Sequence, residues 1–170
     1  MKRGQASLKD IAKALNTNVT GTILVTKLAI PILKANKKPG IINICGFAGQ
    51  VALPYFSVIS ASKYAINGFT ESLQREYAGE QLRIMGVYPA GIKSEETENI
   101  MPKMEKLGFT FDDPKEIAKK IIEAYNEQRT ELVFGKKERS LIFWNKISKK
   151  NVDNKVKKIK SKLLNAVVEF

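Results

Sequence analysis

The order of patterned segments predicts an α/β fold in which a parallel sheet of about three strands is flanked by helices. Three runs, GIINICG (residues 40–46), LRIMGVYPA (82–90) and TELVFG (130–135), are nearly continuous in apolar and β-branched residues, the pattern of strands covered on both faces. Each follows a segment whose apolar residues recur at three- and four-residue spacing, the period of a helix packed along one side. Strands separated by helix-length connections pair in parallel rather than as hairpins. An α+β arrangement is the alternative. No internal repeat and no low-complexity block interrupts the pattern.

Taken in order, Ser7 to Asp10 reads S-x-x-D, a capping-box start. The helix it opens carries Ile11, Leu15, Val19, Ile23, Leu24, Leu28 and Ile32 at helical spacing, with Pro31 expected to kink or interrupt its last turns. Lys37, Lys38, Pro39 and Gly40 end it. After the first strand, residues 47–54 read as a loop and residues 57–78 as a second helix. The second strand stops at Pro89, and residues 91–108 are polar and irregular. Asp113-Pro114-Lys115-Glu116 is a strong helix start, with Asp as N-cap and Pro in the first turn. The helix that follows leads to the third strand, and a basic helical tail closes the chain. Residues 1–135 are thus expected to form the body and residues 136–170 a separate tail.

Composition bounds the chemistry. A chain of 170 residues is long enough for one domain with a real core. It has no histidine and a single cysteine, Cys45, which excludes Ser-His-Asp and Cys-His nucleophile systems, His-ligated metals and an internal disulfide. Acid–base work falls to Lys, Tyr, Asp or Glu. No apolar run approaches a membrane span and nothing apolar follows the basic start, so a cytoplasmic chain is expected. The net charge of +12 invites a nucleic-acid reading, but residues 136–170 hold 11 Lys/Arg against 3 acids, so about +8 sits in the tail.

Four stretches, in order, carry a family resemblance. NVTG (18–21) is similar to an N-x-x-G on a long central helix, and NICGFAG (43–49) to an N-I-S-S-x-A-G strand end. ISASK (59–63) is similar to Y-x-A-S-K, and PAGIKS (89–94) to P-G-x-V-x-T. Each alone is weak. Together, over about residues 8–135, they resemble the short-chain dehydrogenase/reductase family, entered in the middle of its pattern. The family's first strand, its T-G-x-x-x-G-x-G phosphate loop and its N-N-A-G strand end have no counterpart here, and no G-x-G-x-x-G occurs anywhere. The resemblance therefore implies part of a doubly wound, Rossmann-like sheet without the N-terminal cofactor-binding strands.

In the family, hydride passes from nicotinamide to a carbonyl carbon while a tyrosine hydroxyl supplies the proton. A lysine four residues on lies on the same helix face. It lowers the tyrosine pKa by its charge and holds the cofactor ribose. A serine donates a hydrogen bond to the carbonyl oxygen, and an asparagine backs a water that links to the lysine. By position, the resemblance implies Asn18 as the asparagine and Lys63 as the lysine. The tyrosine and serine positions hold Ile59 and Gly46, neither of which carries a proton to give. Pro89, Ile92 and Ser94, with Lys63, stand at cofactor-contact positions for NAD or NADP, and Ala90 replaces the usual glycine. Cys45 is expected to point to the opposite face from position 46, and Tyr64 is rotated by about 100° from Lys63. Tyr55, four residues before Ile59, is the one stand-in for the acid, placed one helical turn earlier.

These readings describe a truncated, degenerate relative that is inactive as an isolated chain and does not hold a nicotinamide cofactor by itself. The alternative is an active carbonyl or alcohol oxidoreductase completed by a separate N-terminal half. Self-association or such a partner is expected, because the strand at residues 41–45 would otherwise leave an unpaired edge. In the tail, Val152, Val156, Ile159, Leu163 and Val167 line one helix face with lysines on the other. That pattern suits a helix docked on the domain, and also contact with an anionic membrane surface through residues 141–167, where Leu141, Ile142, Phe143 and Trp144 cluster. Nucleic acid is disfavoured, since no recognition motif accompanies the charge.

Overall fold

A computed structural model describes residues 7–168. The first six residues, where the expected body begins, lie outside the described residues. Three parallel strands form the centre: β1 (Gly40–Ile44), β2 (Arg83–Tyr88) and β5 (Glu131–Val133), in the order β1-β2-β5. Gly40 pairs with Arg83 and Ile44 with Val87 across the first interface, and Gly86 to Tyr88 pair with Glu131 to Val133 across the second. The α/β class and the parallel three-stranded sheet are as the segment order predicts.

The alternation along β2 explains its continuous apolar run. Met85 and Val87 face helix α6 (Pro114–Asn126), where they pack with Ile117, Ala124, Leu132 and Phe134. Ile84 and Tyr88 face the opposite side and meet α3 (Ser57–Glu76) through Leu73 and Ile66. A strand covered twice has no polar face to show. β1, at the sheet edge, is less covered than its sequence suggests, and Ile44 is 41% exposed.

The first helical region differs from the expected single helix. It runs as α1 (Leu8–Leu15), a π-helical turn over Asn16–Gly21, and α2 (Thr22–Lys34). The capping box is present, with Ser7 Oγ accepting from Asp10 N–H at 3.1 Å. Pro31 sits inside α2 without ending it, so the irregularity falls at Asn16–Gly21. A π turn widens the helix by one residue. In α2, Thr26 is buried and Ile30 and Leu33 pack on the core, while Leu24, Val25, Leu28 and Ile32 are each more than half exposed.

Residues 91–108 are more ordered than their polarity suggests. They hold β3 (Gly91–Ile92), α4 (Glu95–Glu98) and α5 (Met101–Lys106), and β3 pairs in parallel with β4 (Phe111–Asp112). Asp113 caps α6 as expected, accepting from Lys115 N–H at 2.8 Å.

The tail forms α7 (Lys136–Ile147) and α8 (Lys149–Val168). Ile142 and Val152 join Phe47 and Val51 in one cluster, and Leu163 meets Met104 in another. The apolar stripe therefore docks on the body at four of its positions, Val152, Val156, Ile159 and Leu163. Val167 lies outside the described side chains. Within the cluster at residues 141–144, Ile142 is buried while Phe143 and Trp144 remain exposed.

The turn after β1 is held very close to α3. A Cβ on Gly49 would stand 2.7 Å from the backbone oxygen of Lys63, a contact that requires one of the two backbones to move. We expect Gly49→Ala to lower stability by about 1–3 kcal/mol, the usual cost of overpacking. Urea denaturation with an unchanged slope and a lower midpoint is the readout; an unchanged midpoint would rule out the close approach.

Candidate active site

The residues at the family's positions come from three elements that converge at the C-terminal end of β1 and β2. Asn18 lies in the π turn, Gly46 just beyond β1, and Ile59 and Lys63 one turn apart on α3. Asn18 Nδ2 donates to Ser62 Oγ at 3.1 Å, and Ser62 Oγ donates to the carbonyl of Ile59 at 2.8 Å. Lys63 Nζ donates to the carbonyl oxygen of Ile44 at 3.0 Å. Burial pulls the Lys63 ammonium below the ordinary lysine value, and nearby Cys45 pushes weakly the other way. Lys63 is thus half-buried and anchored at the strand end.

Gly46 lies beside Lys63, and a Cβ there would find Lys63 Cε at 3.8 Å and Cδ at 3.9 Å, ordinary contact distances. Space for a serine side chain exists. The backbone does not suit one, because Gly46 has φ 73 and ψ 156, a region that essentially only glycine adopts. The loop has settled around the glycine.

Ile59 lines an apolar cavity of about 500 Å³ with Ile92, Phe47, Phe56 and Met104, and Ser94, Thr97 and Thr110 supply its few hydroxyls. Ser94 starts α4, and its N–H donates to Thr97 Oγ1 at 2.9 Å. Pro89 is buried, and its carbonyl accepts from Phe47 N–H at 2.8 Å. Ile92 also packs on the α6 side of the core.

Tyr55 does not stand one turn before Ile59 on the helix. It precedes α3, has φ 71, and packs toward Met104 and Leu163. Other tyrosine hydroxyls are engaged elsewhere. Tyr64 donates to the carbonyl of Gln50 at 2.8 Å, and Tyr88 donates to Asn67 Oδ1 at 2.6 Å. Burial drives the Tyr88 phenol far above its ordinary value. What converges is therefore a cation with a positioned asparagine and serine, beside an apolar cavity, with no side-chain proton donor at positions 46 or 59.

Sequence reasoning did not single out Ser62 or the Gln50–Asn67–Tyr88 network, in which Gln50 Nε2 donates to Asn67 Oδ1 at 3.2 Å. Ser62 is legible only as the serine inside ISASK, where it reads as a small helix residue. Cys45, expected to face away from position 46, packs instead against α3, the helix that carries Lys63: it is fully buried with Ile66 and Tyr88, and its Sγ stands 3.6 Å from Thr70 Oγ1. Burial raises its thiol pKa above the ordinary value. The native chain is accordingly expected to resist iodoacetamide at neutral pH and to be alkylated once unfolded in urea, as mass spectrometry will show; fast labelling of the native chain would contradict this packing.

Among the described residues no cluster of acidic residues or cysteine is arranged to hold a metal, and no helix is long and apolar enough to cross a membrane.

A family model described as short chain dehydrogenase matches residues 2–105. The chain is similar to carbonyl reductase family member 4 of Xenopus tropicalis, with 33% identity over 118 residues that cover 67% of this chain and 50% of the relative. It is also similar to 3-ketodihydrosphingosine reductase of Bacteroides thetaiotaomicron, with 29% identity over 94 residues, or 55% of this chain and 35% of the relative. The chain thus spans half the length, or less, of these relatives. The fold is similar to that of a short chain dehydrogenase from Burkholderia cenocepacia solved in complex with NADP, with a TM-score of 0.77 and 24% identity, covering 92% of this chain and 63% of the other. It is similar as well to 4-hydroxyisoleucine dehydrogenase complexed with NADH and succinate, with a TM-score of 0.62 and 22% identity over 76% of this chain and 59% of the other. With the parallel sheet and the family match over more than half of the chain in agreement, the protein belongs to the short-chain dehydrogenase family of oxidoreductases.

Proposed function

We propose that this chain is a degenerate, non-catalytic member of the family, keeping the positioning half of a reductase site without its proton donor. The observation that carries this reading is Ile59, facing an apolar cavity one helical turn from Lys63. A carbonyl oxygen placed there would meet neither the general acid nor the hydrogen-bond donor that carbonyl reduction needs. Loss of a general acid costs about 10²–10⁴ in rate, and loss of an oxyanion donor about 10²–10³.

A nicotinamide dinucleotide fits the residues present only at its nicotinamide–ribose end, where Lys63, Pro89, Ile92 and Ser94 stand. The glycine turn after β1 offers no cradle for a pyrophosphate. The N–H groups of Phe47, Gly49 and Gln50 donate to Pro89 O, Gly46 O and Phe47 O at 2.8–3.0 Å, so they are already used. Neither NADH nor NADPH is therefore expected to bind the chain alone. Titration with nicotinamide fluorescence as the readout should show no saturation into the millimolar range, and micromolar affinity for either would overturn the reading.

One observation favours a second reading, an oxidoreductase completed by a separate chain. Among the described residues β1 is an open sheet edge, and Leu24, Val25, Leu28 and Ile32 of α2 are exposed. A protein that supplied the phosphate loop, added to this chain, would then yield NADPH-dependent carbonyl reduction. Failure of the mixture to bind cofactor would exclude that reading and leave the first standing.

A further inference from the structure

A second apolar cavity, of about 430 Å³, opens between α7, α8 and the loop after β1. That volume lies within the range of about 300–1,000 Å³ typical of small-molecule sites. Val51, Leu141, Val156 and Ile159 form its walls. Leu53 and Phe109 line both this cavity and the one at Ile59, so the two share a wall. Unlike its neighbour, this cavity carries three lysines, Lys136, Lys137 and Lys155, from two different helices. All three are exposed, and none forms an ion pair with a carboxylate among the described residues.

Two acids lie nearby in sequence, and neither lines the cavity. Glu138 is buried and folded back, its Oε2 standing where a Cβ on Gly135 would be. Asp153 faces a different cleft, beside Tyr64 and Asn145. An apolar interior with an uncompensated cationic rim matches one ligand chemistry: a hydrocarbon chain ending in an anion. The interior offers no polar partner to a hydrophilic ligand beyond Ser140, and the ammonium groups form charge-assisted bonds with a carboxylate or phosphate head.

We propose that the cavity between α7 and α8 binds a single-chain anionic amphiphile, with its tail against Leu141, Val156 and Ile159 and its head at Lys136, Lys137 and Lys155. This site is independent of the catalytic reading above, because none of its residues belongs to the family's proton relay. It also gives the tail's charge a role that a docked helix alone does not require.

Calorimetric titration of the purified full chain with decyl phosphate, below its micelle concentration, tests the proposal. Saturable binding at one molecule per chain is expected, about tenfold or more tighter than for decanol. Lys137→Glu with Lys155→Glu, both at exposed positions, is expected to remove that tenfold difference while leaving decanol binding unchanged. Val156→Trp, which fills the cavity, should abolish both; circular dichroism establishes whether that variant is folded, and the lysine pair decides the question if it is not. Equal affinity for decanol and decyl phosphate overturns the proposal, as does equal affinity for inorganic phosphate. Binding only to vesicles of anionic phospholipid, with none of the monomeric amphiphile, also overturns it and assigns the lysines to a membrane surface.

Discussion

Replacing Gly46 by serine and Ile59 by tyrosine together, in a chain joined to the N-terminal half of a full-length relative, is expected to raise carbonyl reduction by at least about 10²-fold over the unrepaired fusion. The positioning groups that the new hydroxyls need are in place. Lys63 is partly buried, its Nζ held 3.0 Å from the carbonyl of Ile44, so its charge is little screened where a phenolate would form. Asn18 is fixed by its bond to Ser62. Each single replacement is expected to recover far less, because both groups act on one oxygen and groups acting as a unit are not additive. The serine brings its own cost. At φ 73 and ψ 156 a residue with a Cβ is strained by about 1–3 kcal/mol, so Gly46→Ser alone should melt at a lower temperature. Stopped-time assays of NADPH consumption with a reactive ketone, alongside thermal melts, separate the two effects. If the unrepaired fusion reduces the ketone as fast as the double variant, Ile59 is not what silences the site.

Purified at micromolar concentration, the chain should elute as a dimer or larger species rather than as a 19.0 kDa monomer. Among the described residues β1 lies at the edge of the sheet, with one side paired to β2 and the other side open. An open strand edge beside apolar surface invites pairing with another chain. The apolar surface is there: Val25, Leu28 and Ile32 are 68–70% exposed on α2, and Ile44 is 41% exposed on β1 itself. Light scattering behind a sizing column reads the mass, and hydrogen exchange across residues 41–45 reads the edge. A monodisperse monomer with that strand well protected would contradict the expectation. A charged replacement such as Leu28→Glu should dissociate an assembly built on this face.

Much of this architecture is legible in the chain itself. The three strands, their parallel pairing and the Asp113 cap follow from composition and spacing, since apolar period and cap chemistry are local properties. The placement of Asn18, Gly46, Ile59 and Lys63 at one end of the sheet follows from the family pattern. What was not legible depends on contacts distant in sequence. Ser62 reads as an ordinary small residue until the π turn brings Asn18 to it across 44 residues. By spacing, Tyr55 stands one turn before Ile59; its left-handed backbone instead turns it out of line toward Met104 and Leu163. The polar stretch after Pro89 hides a two-residue strand pair, too short to leave a period. Gly46 carries the instructive error: it reads as a missing side chain, whereas its backbone has adopted a conformation that a serine would resist.

The π turn over Asn16–Gly21 takes up one residue more than an α-helical turn would. Beyond it, Thr26, Ile30 and Leu33 are the residues delivered to the interior. Were the same six residues to wind as α-helix with none removed, every later residue would be carried one place on, or about 100° around the axis. The three interior places would then pass to Val25, Ala29 and Ile32. A single deletion within the turn, which lets an unbroken α-helix run through, is therefore expected to leave the buried face of α2 where it is, whereas a single deletion inside α2 rotates everything after it away from the core.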